Sequence, residues 1–201
     1  DGEALNALDR LYGEHERFPE LADVLSRKFA REQEPMVRNA LQYRLGQVQQ
    51  HQLYEVETAI ATYADTLSRQ SDYGPARDAL VALLDDPEHR FAASQVLEPL
   101  YRGEARHQDL VDLLELQLLD IEEDEARLTL LDDVARLQEA ELDDKEAAFH
   151  AVRRAYLLDS SATQRVASME RLADETGLYE SLVREAYEPA LPSIADGAEV
   201  L

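Results

Sequence analysis

The five histidines are the residues of this chain best suited to binding a metal or moving a proton. They are His15, His51, His89, His107 and His150, and no two of them stand four residues apart. That spacing is needed for two histidines to hold one metal ion from the same face of a helix. The chain also has no cysteine, so it can form neither a thiolate metal site nor a disulfide. We therefore expect no metal site.

Clustered carboxylates are the other residues here that could bind an ion. Residues 120–131, DIEEDEARLTLL, are as acidic as a calcium-binding loop. The sixth position of such a loop needs glycine for its sharp turn, and here that position is Glu125. Since the leucines that follow continue a helical pattern, we interpret the segment as a turn between helices.

No known catalytic motif occurs in the sequence. Carboxylate pairs are plentiful, but a carboxylate catalyses a reaction only where a pocket holds it beside a substrate. The chain has no serine-nucleophile motif, phosphate-binding loop, dinucleotide fingerprint or zinc-protease motif. The sequence therefore predicts that this chain is not an enzyme and uses no cofactor.

The net charge of the chain is −23, from 43 acidic and 20 basic residues. Such a surface repels phosphate backbones, so we expect no nucleic-acid partner. Residues 109–146 alone carry fifteen acidic and three basic residues. This stretch is either a solvated surface, with acids near helix starts, or the acidic wall of a groove that attracts a basic segment of another protein.

The pattern of apolar residues predicts a chain of helices. Leucine, isoleucine and valine recur at intervals of three and four, the spacing of one helix face, and no apolar run is long enough to cross a membrane. Few glycines, no tryptophan and much leucine, alanine and glutamate also favour helices. The predicted helices are 3–16, 20–32, 35–51, 55–70, 75–85, 88–103, 109–121, 124–140, 145–158, 162–176 and 180–190.

The sequence contains an internal duplication with an offset of 89 residues. Residues 7–84 and 96–173 share 16 identical residues in 78 positions, where about 6 are expected by chance for this composition. Within each copy, equivalent leucine or valine positions recur after 37 residues, as from Leu8 to Leu45. A two-helix unit repeated at this length is typical of a helical solenoid.

We therefore predict an all-α fold of about 11 helices, an α-α superhelix of antiparallel hairpins. Residues 1–190 form a single solenoid in this prediction, and 191–201 are the truncated start of a further repeat or a disordered tail. One duplicated segment contains five helices, and an odd number would exchange inner and outer helices. We expect either a break with a kink near Pro87, which would begin a new helix, or regular alternation throughout.

Residues 42–72 hold the clearest repeat unit. Leu45 and Gly46 lie in its first helix, and Ala59 and Tyr63 occupy small and aromatic positions in its second. With these residues the chain resembles the tetratricopeptide repeats more than the armadillo or HEAT repeats. It departs from that family in its spacing, which exceeds 34 residues.

The resemblance implies a protein-interaction scaffold whose first helices line a concave surface. The positions that it assigns to partner binding are Tyr43, Gln47, Gln50, His51, Asp132, Arg136 and Glu139. We expect a protein or peptide partner, and the charge favours a basic one. The alternatives are a structural spacer that stacks on further repeats, or a module that positions a catalytic domain elsewhere in a longer chain.

The chain reads as a fragment of a longer protein. The predicted helix 180–190 would expose Leu182, Val183 and Leu191, so we expect such a fragment to dimerise through exposed terminal helices. The sequence leaves the compartment open and favours a cytoplasmic location slightly over a periplasmic one.

Overall fold

A computed structural model describes residues 2–190, and all regular secondary structure in that range is helical. The helices are α1 (Gly2–Glu14), α2 (Phe18–Arg31), α3 (Pro35–His51), α4 (Val56–Arg69), α5 (Gly74–Ala82), α6 (Arg90–Gly103), α7 (His107–Asp120), α8 (Asp124–Ala140), α9 (Lys145–Leu158), α10 (Thr163–Thr176) and α11 (Tyr179–Ser181). The prediction of an all-α fold with eleven helices is confirmed for this part of the chain. The prediction for 191–201 lies outside the described residues.

The chain divides into two compact units, Asp1–Leu100 and Tyr101–Leu201. In the first unit, each of α1 to α4 packs on the next helix along the chain. In the second unit, α7 packs on α8, α8 on α9 and α9 on α10. Because the connections are short, we expect helices that are neighbours in sequence within one unit to run antiparallel. The arrangement of all the helices as one solenoid stays a prediction.

Each unit has its own apolar core. In the first unit Leu21, Leu25 and Val48 form a buried cluster from α2 and α3. In the second unit Leu118 and Leu131 do the same with α7 and α8. Burying one such side chain stabilises the fold by about 1.5–3 kcal/mol. The apolar face of each helix therefore needs the neighbouring helix for its burial.

The turns of the two units share their local structure at the offset of 89 residues. The Arg17 backbone N–H donates to the Tyr12 carbonyl over 2.9 Å, and that of Arg106 donates to the Tyr101 carbonyl over 3.0 Å. Each guanidinium also stacks on its tyrosine ring, 5.0 and 4.6 Å from the ring centre. The non-glycine residues with positive φ form two pairs at the same offset, Glu16 with Ala105 and Tyr54 with Asp143.

The chain leaves the helical conformation where a break was one of the two expectations, but Pro87 does not begin the next helix. A 3₁₀ turn, Leu83–Asp85, follows α5, and α6 begins at Arg90. The Asp86 carboxylate accepts a hydrogen bond from the Glu88 backbone N–H over 3.0 Å. This side-chain bond stabilises one more turn, so the helix begins three residues after the proline.

The last predicted helix is present in a modified form. After α11 the hydrogen bonding widens into a π-helix over Leu182–Tyr187, which packs on α9 and α10. This packing buries Leu182, against the prediction that it is exposed. Val183 is 49% exposed, as expected, and Leu191 lies outside the described residues.

Candidate protein-interaction grooves

A groove of about 410 Å³ lies between α3 and α5 in the first unit. Four predicted partner-binding residues stand along its α3 wall: Tyr43, Gln47, Gln50 and His51. They share this wall because intervals of three and four residues return to one face of a helix. Tyr63 of α4 also lines the groove, and its other wall consists of Pro75, Asp78, Ala79 and Ala82. We call this the α3–α5 groove.

Two tyrosines hold the glutamine amides of this groove in place. The Gln47 side-chain amide donates to the Tyr43 hydroxyl, and the Tyr63 hydroxyl donates to the Gln50 carbonyl, each over 2.9 Å. The Tyr43 ring packs against Tyr63 and Tyr73, with centres 5.8 and 6.1 Å apart. Tyr43 is therefore both a packing residue and part of the groove wall.

Tyr63 and Tyr73 remain protonated at any physiological pH. Burial, followed by the proximity of the Tyr43 phenol, raises the pKa of both side chains above the ordinary value. A neutral phenol can both donate and accept a hydrogen bond. Within residues 2–190, the Gln47 carbonyl and the Gln50 NH₂ group have no hydrogen-bond partner. These two glutamines thus offer the groove one acceptor and one donor, both on side chains that are already fixed.

Gly46 allows Tyr63 to lie against α3. A Cβ atom at Gly46 would stand 2.4 Å from Cε1 of the Tyr63 ring, closer than carbon atoms approach without strain. The tyrosine is fully buried. The glycine and the aromatic residue that suggested the family resemblance are therefore in direct contact.

A second groove, of about 530 Å³, lies between α8 and α10 in the second unit. The other three predicted residues, Asp132, Arg136 and Glu139, line its α8 wall. Ala135 and Val152 also line it, and Ala162, Gln164, Arg165 and Ser168 form the opposite side. We call this the α8–α10 groove.

Ion pairs cross the α8–α10 groove. The Arg165 guanidinium donates to both carboxylate oxygens of Asp132, over 3.1 and 2.9 Å. The Arg171 guanidinium lies 2.8 Å from the Glu139 carboxylate. The charged residues that line the groove are Asp132, Glu139, Arg136 and Arg165, so two negative charges are balanced by two positive ones. Of the fifteen acidic residues in 109–146, only Asp132 and Glu139 line this groove, and the two interpretations of that stretch stay predictions.

The two grooves occupy equivalent places in the duplication. Tyr43 and Asp132 are 89 residues apart, and so are the pairs Gln47 and Arg136, Gln50 and Glu139, and Tyr63 and Val152. The two helices that form opposite walls of the groove are odd-numbered in the first unit, α3 and α5, and even-numbered in the second, α8 and α10. This change follows from the five helices in one duplicated segment.

Sequence reasoning missed the arginines of α10. Arg165 and Arg171 follow their partners Asp132 and Glu139 by 33 and 32 residues. These nearly equal intervals were the available signal, since an interval close to the repeat length brings two helices side by side. Residues of opposite charge separated by such an interval can therefore be predicted from the sequence to form ion pairs between helices.

The chain matches no protein-family model and no curated protein. Among residues 2–190, no group of three or more histidine, aspartate or glutamate side chains is placed to hold a metal ion. No helix in that range is long and apolar enough to span a membrane. The grooves are thus the basis for a functional proposal.

Proposed function

We propose that this chain is a non-catalytic protein-interaction scaffold of tetratricopeptide-like hairpins, which binds a peptide segment of a partner in the α3–α5 groove. The observation that carries the proposal is the pair of glutamines fixed by tyrosines. Gln47 presents a carbonyl and Gln50 an NH₂ group without a partner in residues 2–190. An extended peptide offers a backbone N–H and a carbonyl to match them.

The glutamine side chains of the groove lose little conformational entropy when a peptide binds. Ordering a free glutamine side chain costs up to about 2 kcal/mol, and here the tyrosine hydroxyls have already restricted both side chains. Tyr43 adds an aromatic surface, a common anchor in protein interfaces. The net charge of −23 steers basic partners toward the chain, so we expect a peptide with lysine or arginine beside its groove-binding residues.

A variant that copies the second unit tests this proposal. The double substitution Gln47→Arg and Gln50→Glu gives the α3–α5 groove the residues found at the equivalent positions Arg136 and Glu139. Peptides are first selected on the purified wild-type chain from a displayed random library. We expect their affinity for the variant to fall at least about tenfold, a loss of about 1.4 kcal/mol. Isothermal titration calorimetry measures both affinities.

The matched control is the reverse exchange, Arg136→Gln with Glu139→Gln, in the α8–α10 groove. This control should bind the selected peptides as the wild type does. If no peptide is enriched, or if peptides bind both variants with wild-type affinity, the α3–α5 groove is not a peptide site.

A structural spacer is the second candidate function, and the ion pairs across the α8–α10 groove favour it. Asp132 with Arg165 and Glu139 with Arg171 connect neighbouring helices and use the charged groups that a ligand would need. A spacer predicts that library selection enriches nothing. The same selection therefore distinguishes the two functions.

A further inference from the structure

Two arginines of the first unit lie against one aromatic ring. The guanidinium carbons of Arg38 and Arg69 are 4.7 and 5.2 Å from the centre of the Phe29 ring. Within residues 2–190, no carboxylate oxygen lies within 4.0 Å of either guanidinium. In a chain with more than twice as many acidic as basic residues, two adjacent cations without an ion pair are unexpected.

These arginines line a pocket of about 300 Å³ where the α2–α3 loop meets the end of α4. Gln33, Pro35, Asn39 and Gln70 complete the lining. The Asn39 amide donates to the Gln70 carbonyl over 2.7 Å, which leaves the Gln70 NH₂ group as a further donor. The pocket thus combines two charged guanidinium groups with the amide side chains of Gln33, Asn39 and Gln70. We call it the Phe29 pocket.

The Glu32 carboxylate interacts with Arg38 of this pocket but already accepts other hydrogen bonds. One oxygen of Glu32 accepts hydrogen bonds from the backbone N–H groups of Gln33 and Glu34, over 2.8 and 3.0 Å. Those bonds, and to a smaller extent the charge of Arg38, lower the pKa of Glu32. The charge of Glu32 therefore partly offsets that of Arg38, but Glu32 forms no ion pair with it and does not occupy the pocket.

The equivalent place in the second unit contains its own acid. Arg127 is the counterpart of Arg38, and the Asp124 carboxylate lies 3.8 Å from its guanidinium. Leu158 stands there in place of Arg69. Nε is buried without a hydrogen-bond partner in Arg38 and Arg127 alike, so that feature reflects their shared packing. The first unit differs in having a second arginine and, among residues 2–100, no paired acid.

We propose that the Phe29 pocket binds a single carboxylate group from a partner peptide. The planar guanidinium matches a carboxylate with two parallel hydrogen bonds, and Arg69 supplies the second cation. The net charge of −23 repels a doubly charged phosphate more strongly than a singly charged carboxylate. The pocket shares no residue with the α3–α5 groove, so each of the two proposals can fail without the other.

The side-chain Nε–H resonances of the arginines in ¹⁵N-labelled protein test the proposal directly. The probes are N-acetyl-triglycine with a free carboxylate, the same peptide as its amide, and inorganic phosphate, all at physiological salt. We expect the free carboxylate alone to shift the Arg38 and Arg69 resonances, saturating with a Kd on the order of 1 mM. The Arg127 resonance, whose arginine has an acid beside it, should stay in place.

The variant Arg69→Leu introduces the residue of the second unit and removes one cation at an exposed position. Arg69→Leu should weaken carboxylate binding at least about fivefold. The control variant Arg127→Leu should leave carboxylate binding unchanged. An unaltered circular dichroism spectrum shows that each variant is folded. The proposal is overturned if the carboxylate gives no saturable shift, if phosphate or the amide binds as well, or if Arg69→Leu has no effect.

Discussion

Replacing Gly46 by alanine tests a close contact between α3 and α4 in the first unit. The added Cβ atom would stand 2.4, 2.9 and 3.0 Å from three atoms of the Tyr63 ring. The ring cannot withdraw easily, because it is fully buried, hydrogen-bonded to Gln50 and packed against Tyr43. The substitution should therefore strain the α3–α4 contact.

The size of this effect follows from two opposing contributions. Overpacking a core costs about 1–3 kcal/mol, and such short contacts favour the upper part of that range. Alanine, on the other hand, stabilises a helix interior by about 1 kcal/mol relative to glycine. We expect Gly46→Ala to lower the free energy of unfolding by about 2 kcal/mol.

The second unit shows how the strain can be relieved. Ala135 and Val152 occupy the positions equivalent to Gly46 and Tyr63, so alanine is accommodated there by a smaller neighbour. Tyr63→Val alone should cost about 3 kcal/mol through the cavity that it leaves. In that background Gly46→Ala should become stabilising, which gives a coupling energy of about 2–3 kcal/mol.

Urea unfolding followed by circular dichroism measures all four members of this cycle. Ala135→Gly is the matched control: it meets no ring and should destabilise the protein by about 1 kcal/mol. The reasoning is refuted if Gly46→Ala is neutral or stabilising by itself, or if the two substitutions are additive within about 0.5 kcal/mol.

Two further predictions concern charge and backbone conformation. Burial raises the pKa of Asp9, but hydrogen bonds from Arg44 and Lys28, 2.9 and 2.6 Å long, outweigh it and leave the pKa below its ordinary value of 3.8. Stability from this carboxylate is thus present above that pH and lost as the pH falls further. Asp9→Asn should lower the free energy of unfolding by about 1–2 kcal/mol at pH 7, a value reduced by the partial exposure of the two cations. Near pH 2 the substitution should have no effect. A difference in urea midpoint that stays constant between these pH values would contradict this prediction. Ala105→Gly should stabilise the fold by up to about 1 kcal/mol, because φ is 52° at Ala105 and a positive φ strains a residue that has a Cβ atom. Gly177→Ala, at φ 76°, should destabilise the fold by a similar amount. Thermal unfolding measures both variants, and shifts of the same sign would refute the backbone strain.

Equivalent helices of the two units are joined by an ion pair, but only one member of the pair lies at an equivalent position, where the charge is opposite. In the first unit the acid Asp9 of α1 pairs with Arg44 of α3. In the second, the base Arg102 of α6 pairs with Asp133 of α8, the residue equivalent to Arg44. Both copies thus have an ion pair between these helices, but the acid lies on the first helix in one copy and on the second helix in the other. A comparison of residue types alone does not detect such a relation.

The spacing of residues along single helices was predictable from the sequence. Intervals of three and four placed Tyr43 and Gln47 on one wall of the α3–α5 groove, and Asp132 and Arg136 on one wall of the α8–α10 groove. Helix ends were also predicted to within three residues, except that the predicted helix 180–190 leaves the α conformation after Ser181 and continues as a π-helix. The 75–85 segment finishes as a 3₁₀ turn. That any partner binds these walls stays a prediction.

Local backbone hydrogen bonds fix the direction of each side chain around its own helix, and a sequence displays that periodicity directly. Which side chains meet across helices depends on packing and on charges brought together from distant parts of the chain. The tertiary structure therefore decided that Arg165 neutralises Asp132, and that Gly46 makes room for Tyr63. It also decided that Arg38 and Arg69 share the ring of Phe29.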